Sequence, residues 1–332
     1  MHFKSSSVKA PHPAGPRENF WRIPTICATL VAVRRMYPIL VTLMACHDKT
    51  PEPLPPPPPQ DGVVLIQPGV PPLQMLRYHL TRGATVKSRL VCNVDVKSSE
   101  LQAPMPSQVL DLETVVEDVL AGGDARLRIT VVDADIRDRP GAAATDVVKA
   151  QTAALRGVVV TETLAPDGKV SDAQVTAGAA PDRPQHELDA LLQNLARVAT
   201  RLPAEPVGVG ATWRERRTLP EGGVRAVSEI TYTLTSLAGT AVGFTSAGQA
   251  SGPPQTVDQD GEKVEVTDTH GQSAAAGSLD LSRYALELTA TSAFSTTMAL
   301  AAPDAGRGAE RSTIEISIAI RMTSAQGAHS AP

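Results

Sequence analysis

The sequence predicts a mainly β domain of the α+β class, a large curved antiparallel sheet or half-barrel with one amphipathic helix packed on it. Three observations predict it. From Gly62 to about Ser324, short runs alternate apolar and polar residues at period two. Turn signals such as Arg82-Gly83, Gly122-Gly123-Asp124 and Pro166-Asp167-Gly168 separate those runs. A single stretch keeps helical spacing instead. Twisted open sheets rarely exceed about ten strands without curling or splitting, so about a dozen strands imply one curved sheet or two smaller sheets divided near residues 180–205.

The chain begins with a leader. Arg34-Arg35, the apolar run Met36–Ala45 and a small residue before Cys46 have the layout of a secretory signal peptide, which assigns residues 1–45 to a cleaved segment. A start near Val31 or Val33 would give a leader of ordinary length and leave 1–32 untranslated. The run is too short to cross a bilayer. Extending it back to Ile23 would place two arginines at the centre of a span, each costing roughly 2.5–3.5 kcal/mol. Leu43, Met44 and Ala45, ending at Cys46, resemble the lipobox of bacterial lipoproteins. That resemblance implies recognition of the three residues by the processing enzymes, a diacylglycerol on the Cys46 sulfur, and cleavage just before it. Thr50–Gln60, "TPEPLPPPPPQ", then reads as a stiff polyproline II spacer. Residues 46–61 thus form a lipidated tether.

Beyond the tether, "MLRYHLTRGATVKSRLVCNVDV" predicts a hairpin around Arg82-Gly83. "VLDLETVVEDVLAGGDARLRITVVDADI" predicts a second, in which Leu127, Ile129 and Val131 share one face. "GVVVTETLAPDGKVSDAQV" predicts a third, because proline pre-sets φ and glycine accepts a positive one. Further strands follow in "VRAVSEITYTLTSLAGTAVGFTSAGQA", "AAGSLDLSRYALELTATSAF" and "STIEISIAIRM", the last with Ile314, Ile316, Ile318, Ile320 and Met322 on one side. Residues 325–332 are expected to be a disordered tail.

The exception is "PDRPQHELDALLQNLARVATRLP". Leu188, Leu191, Leu192 and Leu195 fall on one helical stripe continued by Val198, Ala199 and Leu202; Glu187 and Asp189 open it, and Pro203 stops it. The stripe either packs on the sheet or faces a ligand. Lys/Arg enrichment of the polar face, which a membrane-surface helix needs, is lacking.

"LRYHLTRGATVKSRLV", "VVVTETLAPDGKVSDAQV" and "PAEPVGVGATW" together resemble an uncharacterised bacterial lipoprotein family, domain of unknown function 6263. Pro166, Asp167, Gly168, Lys169 and Val170 match its hairpin, and Pro206, Val207, Gly210 and Trp213 match its segment after a helix, with Ala211 in place of the usual Asp. The resemblance implies secretion and a β architecture and no activity.

Composition excludes several classes. A formal charge of −4 leaves no basic field for a nucleic acid, and an aromatic content of 3% leaves few rings on which bases or sugars could stack. Cys27, Cys46 and Cys92 form no CxxC pair and have no histidine at ligand spacing, so neither a zinc site nor a disulfide framework is indicated, and no metal or cofactor is expected. Cys92, on the apolar face of an alternating run, reads as a buried structural thiol. "DQDGEKVEVTD" fits a calcium loop poorly and reads as a polar hairpin. GxSxG, HExxH and P-loop patterns are absent, and Ser273 cannot pair with His270 because residues three apart on a strand face opposite ways.

The leading expectation is a non-catalytic, lipid-anchored envelope protein that binds or carries an apolar or amphiphilic ligand. Its partners would be the membrane, through Cys46, and that ligand; a protein partner stays unknown. The warrant is the fold-level analogy with curved, helix-closed sheets that hold acyl chains. The alternative is a structural or protein-interaction lipoprotein without a cavity, acting through its surface or a sheet edge. An enzyme is not expected, and a convergent polar cluster with perturbed pKa values would argue otherwise.

Overall fold

The computed structural model describes residues 61–98, 102–142, 145–178, 199–221, 224–259, 262–300 and 310–325. In chain order the strands are β1 (Gly62–Gln67), β2 (Thr85–Lys97), β3 (Gln102–Pro104), β4 (Ser107–Val119), β5 (Ala125–Arg137), β6 (Val159–Leu164), β7 (Val170–Ala177), β8 (Thr212–Glu221), β9 (Val224–Ala238), β10 (Ala241–Gly252), β11 (Gln255–Gln259), β12 (Glu262–Asp280), β13 (Ala285–Leu300) and β14 (Glu310–Ala325). All fourteen belong to one antiparallel sheet, ordered β1-β8-β9-β10-β12-β13-β14-β2-β4-β5-β6-β7, with β3 on β2 and β11 on β12. The expected fold class is therefore present, as one sheet and not two. The final strand runs to Ala325, one residue beyond the expected end.

Local sequence explains most of the pairing. The Gly122-Gly123 and Pro166-Asp167-Gly168 turns join β4 to β5 and β6 to β7, with Gly123 and Gly168 at φ values of 89° and 83° that favour glycine. "DQDGEKVEVTD" is a hairpin of β11 on β12. Ile314, Ile316 and Met322 of β14 are buried on one face, as their spacing requires.

Three expectations change. Residues 75–81 do not form a hairpin with β2. They run extended with Leu76, Tyr78 and Leu80 buried, but Tyr78 N–H donates to Pro166 O and His79 N–H to Leu281 O, while Gln74 bridges Val207. Both edges of β2 are already taken, by β4 and by β14. Cys92 is buried and disulfide-bonded, so it is not a lone thiol; its partner cysteine lies outside the described residues. Leu188, Leu191, Leu192 and Leu195 also lie outside them, but the expected end of their helix is described and is not helical. Leu202 precedes a proline, which disfavours helical backbone, and its N–H donates instead to Asp167 O.

Among the described residues the helix is another one, α1 (Thr145–Ala153), between β5 and β6. Its sequence, "TDVVKAQTA", buries only Val148 and Thr152, four residues apart, which is too little apolar periodicity to stand out in the sequence.

The sheet must curl. β8 and β6 are nine strand spacings apart in the order, roughly 40 Å if the sheet were flat. Yet Trp213 Nε1, on β8, donates to Arg201 O at 2.9 Å, and the Arg201 guanidinium meets Asp167 Oδ2, in the β6–β7 turn, at 3.1 Å. The two motifs that carry the family resemblance therefore touch through Arg201. One buried cluster likewise collects Trp213, Tyr232, Phe244, Leu286, Leu110, Leu127 and Leu164 from across the whole order. Leu76, Tyr78 and Leu80 of one extended segment and Ala199, Leu202, Val207 and Ala211 of another join that cluster, and the segments are tied by Arg77 donating to Pro203 O and Ala204 O. The path still ends at β1 and β7 without closing.

Candidate functional site

The inner face has two apolar clusters with a band between them. The larger contains Phe244, Leu279 and Leu286; the smaller contains Val96, Val148, Val264, Val266, Ile314 and Ile316, so α1 packs there through Val148. In between, cross-strand register lines up small residues on the three central strands. Ser246, Gly248 and Ala250 of β10 face Ala275, Ser273 and Gly271 of β12, which face Ala290, Ser292 and Phe294 of β13. Apart from the buried Gly248 and Gly271, these residues are partly exposed. Eight of the nine carry no side chain larger than a hydroxymethyl, so three neighbouring strands leave a shallow trough roughly 10 Å wide. The Phe294 ring lies over Gly271, where a Cβ would collide with it.

A buried polar group borders this trough. Along β8 the inward positions read Trp213, Glu215, Arg217, so an ion pair follows the tryptophan on the same face. Glu215 is fully buried; Arg217 Nε donates to its Oε1 and the Tyr232 hydroxyl to its Oε2 at 3.2 Å. Tyr232 stacks on Trp213 with ring centroids 5.4 Å apart. Arg217, 23% exposed at its side chain, stands in the row of Ser228 and Ala250 and so reaches the trough.

Glu162 is the anomaly. On β6 it follows Val158 and Val160 on the buried face, and neither carboxyl oxygen has a hydrogen-bond partner. Burial pushes its pKa up to about 7, because the charged form loses its water without gaining a donor. The buried hydroxyl of Tyr284 is also unpartnered. Tyr284 adopts a φ of 57°, a left-handed conformation that costs a non-glycine residue about 1 kcal/mol or more. The turn before it holds that geometry, with Asp280 Oδ1 accepting from Ser282 N–H and Oγ–H and Asp280 O accepting from Tyr284 N–H. Burial raises the Tyr284 pKa, and the nearby Glu162 charge raises it further. Tyr78 packs against Tyr284 at 5.8 Å between ring centroids and donates to Thr200 O. Burial also raises the pKa of Tyr78 and of Tyr232, so all three phenols stay protonated donors at neutral pH.

No protein-family model matches the chain, and no curated protein matches it either.

The structure treats the sequence candidates unevenly. Leu43, Met44, Ala45, Cys46 and the leucine stripe are outside the described residues. His79 and His270 are exposed, the latter on Asp268 at 2.9 Å, and Ser273 faces the trough on the other side of β12. Among the described residues no group of three or more His, Cys, Asp or Glu could hold a metal, and no helix is long and apolar enough to cross a membrane. Glu162, Glu215, Arg217, Tyr78, Tyr232 and Tyr284 were not singled out. A signal existed for the two glutamates: each interrupts an apolar face at period two, in "VVVTETL" and in "ATWRER". The tyrosines gave none, since their meeting depends on how distant segments cross the sheet.

Proposed function

We propose that this chain is a secreted, lipid-anchored protein of the bacterial envelope that binds or carries an amphiphile without transforming it, a processed form in which cleavage before Cys46 and acylation of its sulfur take both cysteines that could pair with Cys92, Cys27 and Cys46, away from it. The observation that carries this reading is the partly exposed trough between the two apolar clusters. A sheet built only to be a core would fill its central strands with large side chains, whereas here Ala, Ser and Gly occupy them. An acyl or isoprenoid chain would lie along the trough. Its polar end would meet Arg217, with Glu162 and Tyr284 as an acceptor and a donor whose partners are missing in the free protein. The polar cluster suits binding better than catalysis: the phenols are locked as donors, Glu215 is committed to Arg217, and Glu162 is the one group poised to titrate near neutrality.

The test is uptake of a fluorescent long-chain fatty acid, with displacement by unlabelled fatty acid. The chain should bind it, and Ser273→Leu, which fills the middle of the trough, should weaken binding by roughly tenfold or more. An absence of uptake for fatty acid, lysophospholipid and hydrophobic dye alike overturns the reading and leaves the interaction protein as its replacement. Equal uptake by Ser273→Leu places the ligand elsewhere.

A further inference from the structure

Six of the nine large apolar side chains that the described residues leave exposed lie in one region: Val64 and Ile66 on β1, Val70, Leu73 and Met75 in the segment after it, and Val209. They are 40–62% exposed. The two segments are locked together, with Val70 N–H donating to Val209 O and Gln74 N–H to Val207 O. A Cβ on Gly69 or Gly208 would collide with the backbone of the opposite segment. The patch is thus a fixed surface. Gly62 to Leu76 contains no charged residue.

We infer that this patch docks on a lipid bilayer. The choice of occupant rests on the lipid-anchor reading and on three observations. The first is position: only residues 47–61 separate Cys46 from Gly62, at most roughly 50 Å of chain, so in an anchored domain this corner is where the tether enters and lies within its reach of the bilayer. The second is backbone chemistry. An interface poor in water tolerates few unpaired N–H groups. Between residues 68 and 74, Pro68, Pro71 and Pro72 have no N–H, and the N–H groups of Val70 and Gln74 are already bonded. The third is charge. Arg214 is directly opposite Val64 and shares its face, exposed and without an acidic partner among the described residues, where it can meet an anionic headgroup. Apolar side chains flanked by an arginine are the usual make-up of a surface that sits in the headgroup layer.

The experiment uses the full chain carrying Cys46→Ala, which cannot be acylated, in co-sedimentation with vesicles of phosphatidylethanolamine and phosphatidylglycerol. That chain should sediment with vesicles. Val70→Asp with Leu73→Asp should weaken sedimentation roughly tenfold or more, while Val132→Asp, an exposed valine on β5, should leave it unchanged. Arg214→Gln should weaken it a fewfold on anionic vesicles and not on phosphatidylcholine. All four residues are exposed, so unfolding midpoints should match and exclude misfolding as the cause. Absent vesicle binding, or equal binding by the double variant, overturns the inference. So does a dimer abolished by Ile66→Asp, which would make the patch a contact between copies. Acylation of the unmutated chain is read separately, by labelling with radioactive palmitate, so either idea can fail without the other.

Discussion

Replacing Glu162 by glutamine should make the protein more stable above neutral pH and remove much of its pH dependence. Both carboxyl oxygens are buried without a partner, and the pKa stands at about 7 against an ordinary 4.5. A carboxyl whose folded pKa is raised by burial alone costs nothing only while it is protonated in both states. Between 4.5 and 7 the folded state holds a proton that the unfolded state has released, so stability falls as pH rises through that window and stays low above it. The full penalty is about 3 kcal/mol, of which about 2.5 kcal/mol develops between pH 5 and pH 8. Asp111 and Asp280, whose pKa values are lowered, lose their contributions only below about pH 4 and do not interfere. Urea unfolding of both proteins at pH 5, 6, 7 and 8 measures the difference. Glu162→Gln should lie within about 1 kcal/mol of wild type at pH 5 and exceed it by a further 2 kcal/mol or so at pH 8. A difference independent of pH would refute the argument and mean that the carboxyl finds water or a donor in solution.

Two other outcomes follow from the packing. Trp213→Ala removes a fully buried ring, its stacking on Tyr232 and the donor that ties β8 to Arg201, and should cost about 3–5 kcal/mol in chemical denaturation. Gly208→Ala puts a Cβ against Val70 O and should cost about 1–3 kcal/mol, whereas Gly62→Ala, where a Cβ meets nothing within 4 Å, should leave the melting temperature nearly unchanged.

Where the information is local, the sequence carries it. The β4–β5, β6–β7, β9–β10 and β12–β13 hairpins follow from turn residues and from alternation on either side of them. Alternation in Leu76, Tyr78 and Leu80 was equally legible, but alternation says which side is buried and not which chain lies alongside. The partner of β2 is β14, more than 200 residues later, and no local signal names it. Strands β2–β7 precede residues 180–205 and β8–β14 follow them, while β1, from before that point, pairs with β8. What a division there misses is that the two groups join edge to edge. The trough was legible only as a shortage of large side chains, and the polar cluster beside it required knowing which face each residue occupies.

That join has a consequence for how the protein is made. The two halves of the sheet meet where β14 pairs with β2, a seam that includes Ser88 Oγ on Ser324 Oγ at 2.9 Å and Lys97 on Glu315 at 2.9 Å. The strand that completes the seam, β14, is the last of the described strands. Without it, β2 and β13 each have one side unpaired, so a chain lacking β14 holds two open sheets with aggregation-prone edges. A contact this distant in sequence also forms slowly. Folding into one sheet therefore waits on β14. Losing the sixteen residues of β14 would leave two fragments where there had been one sheet.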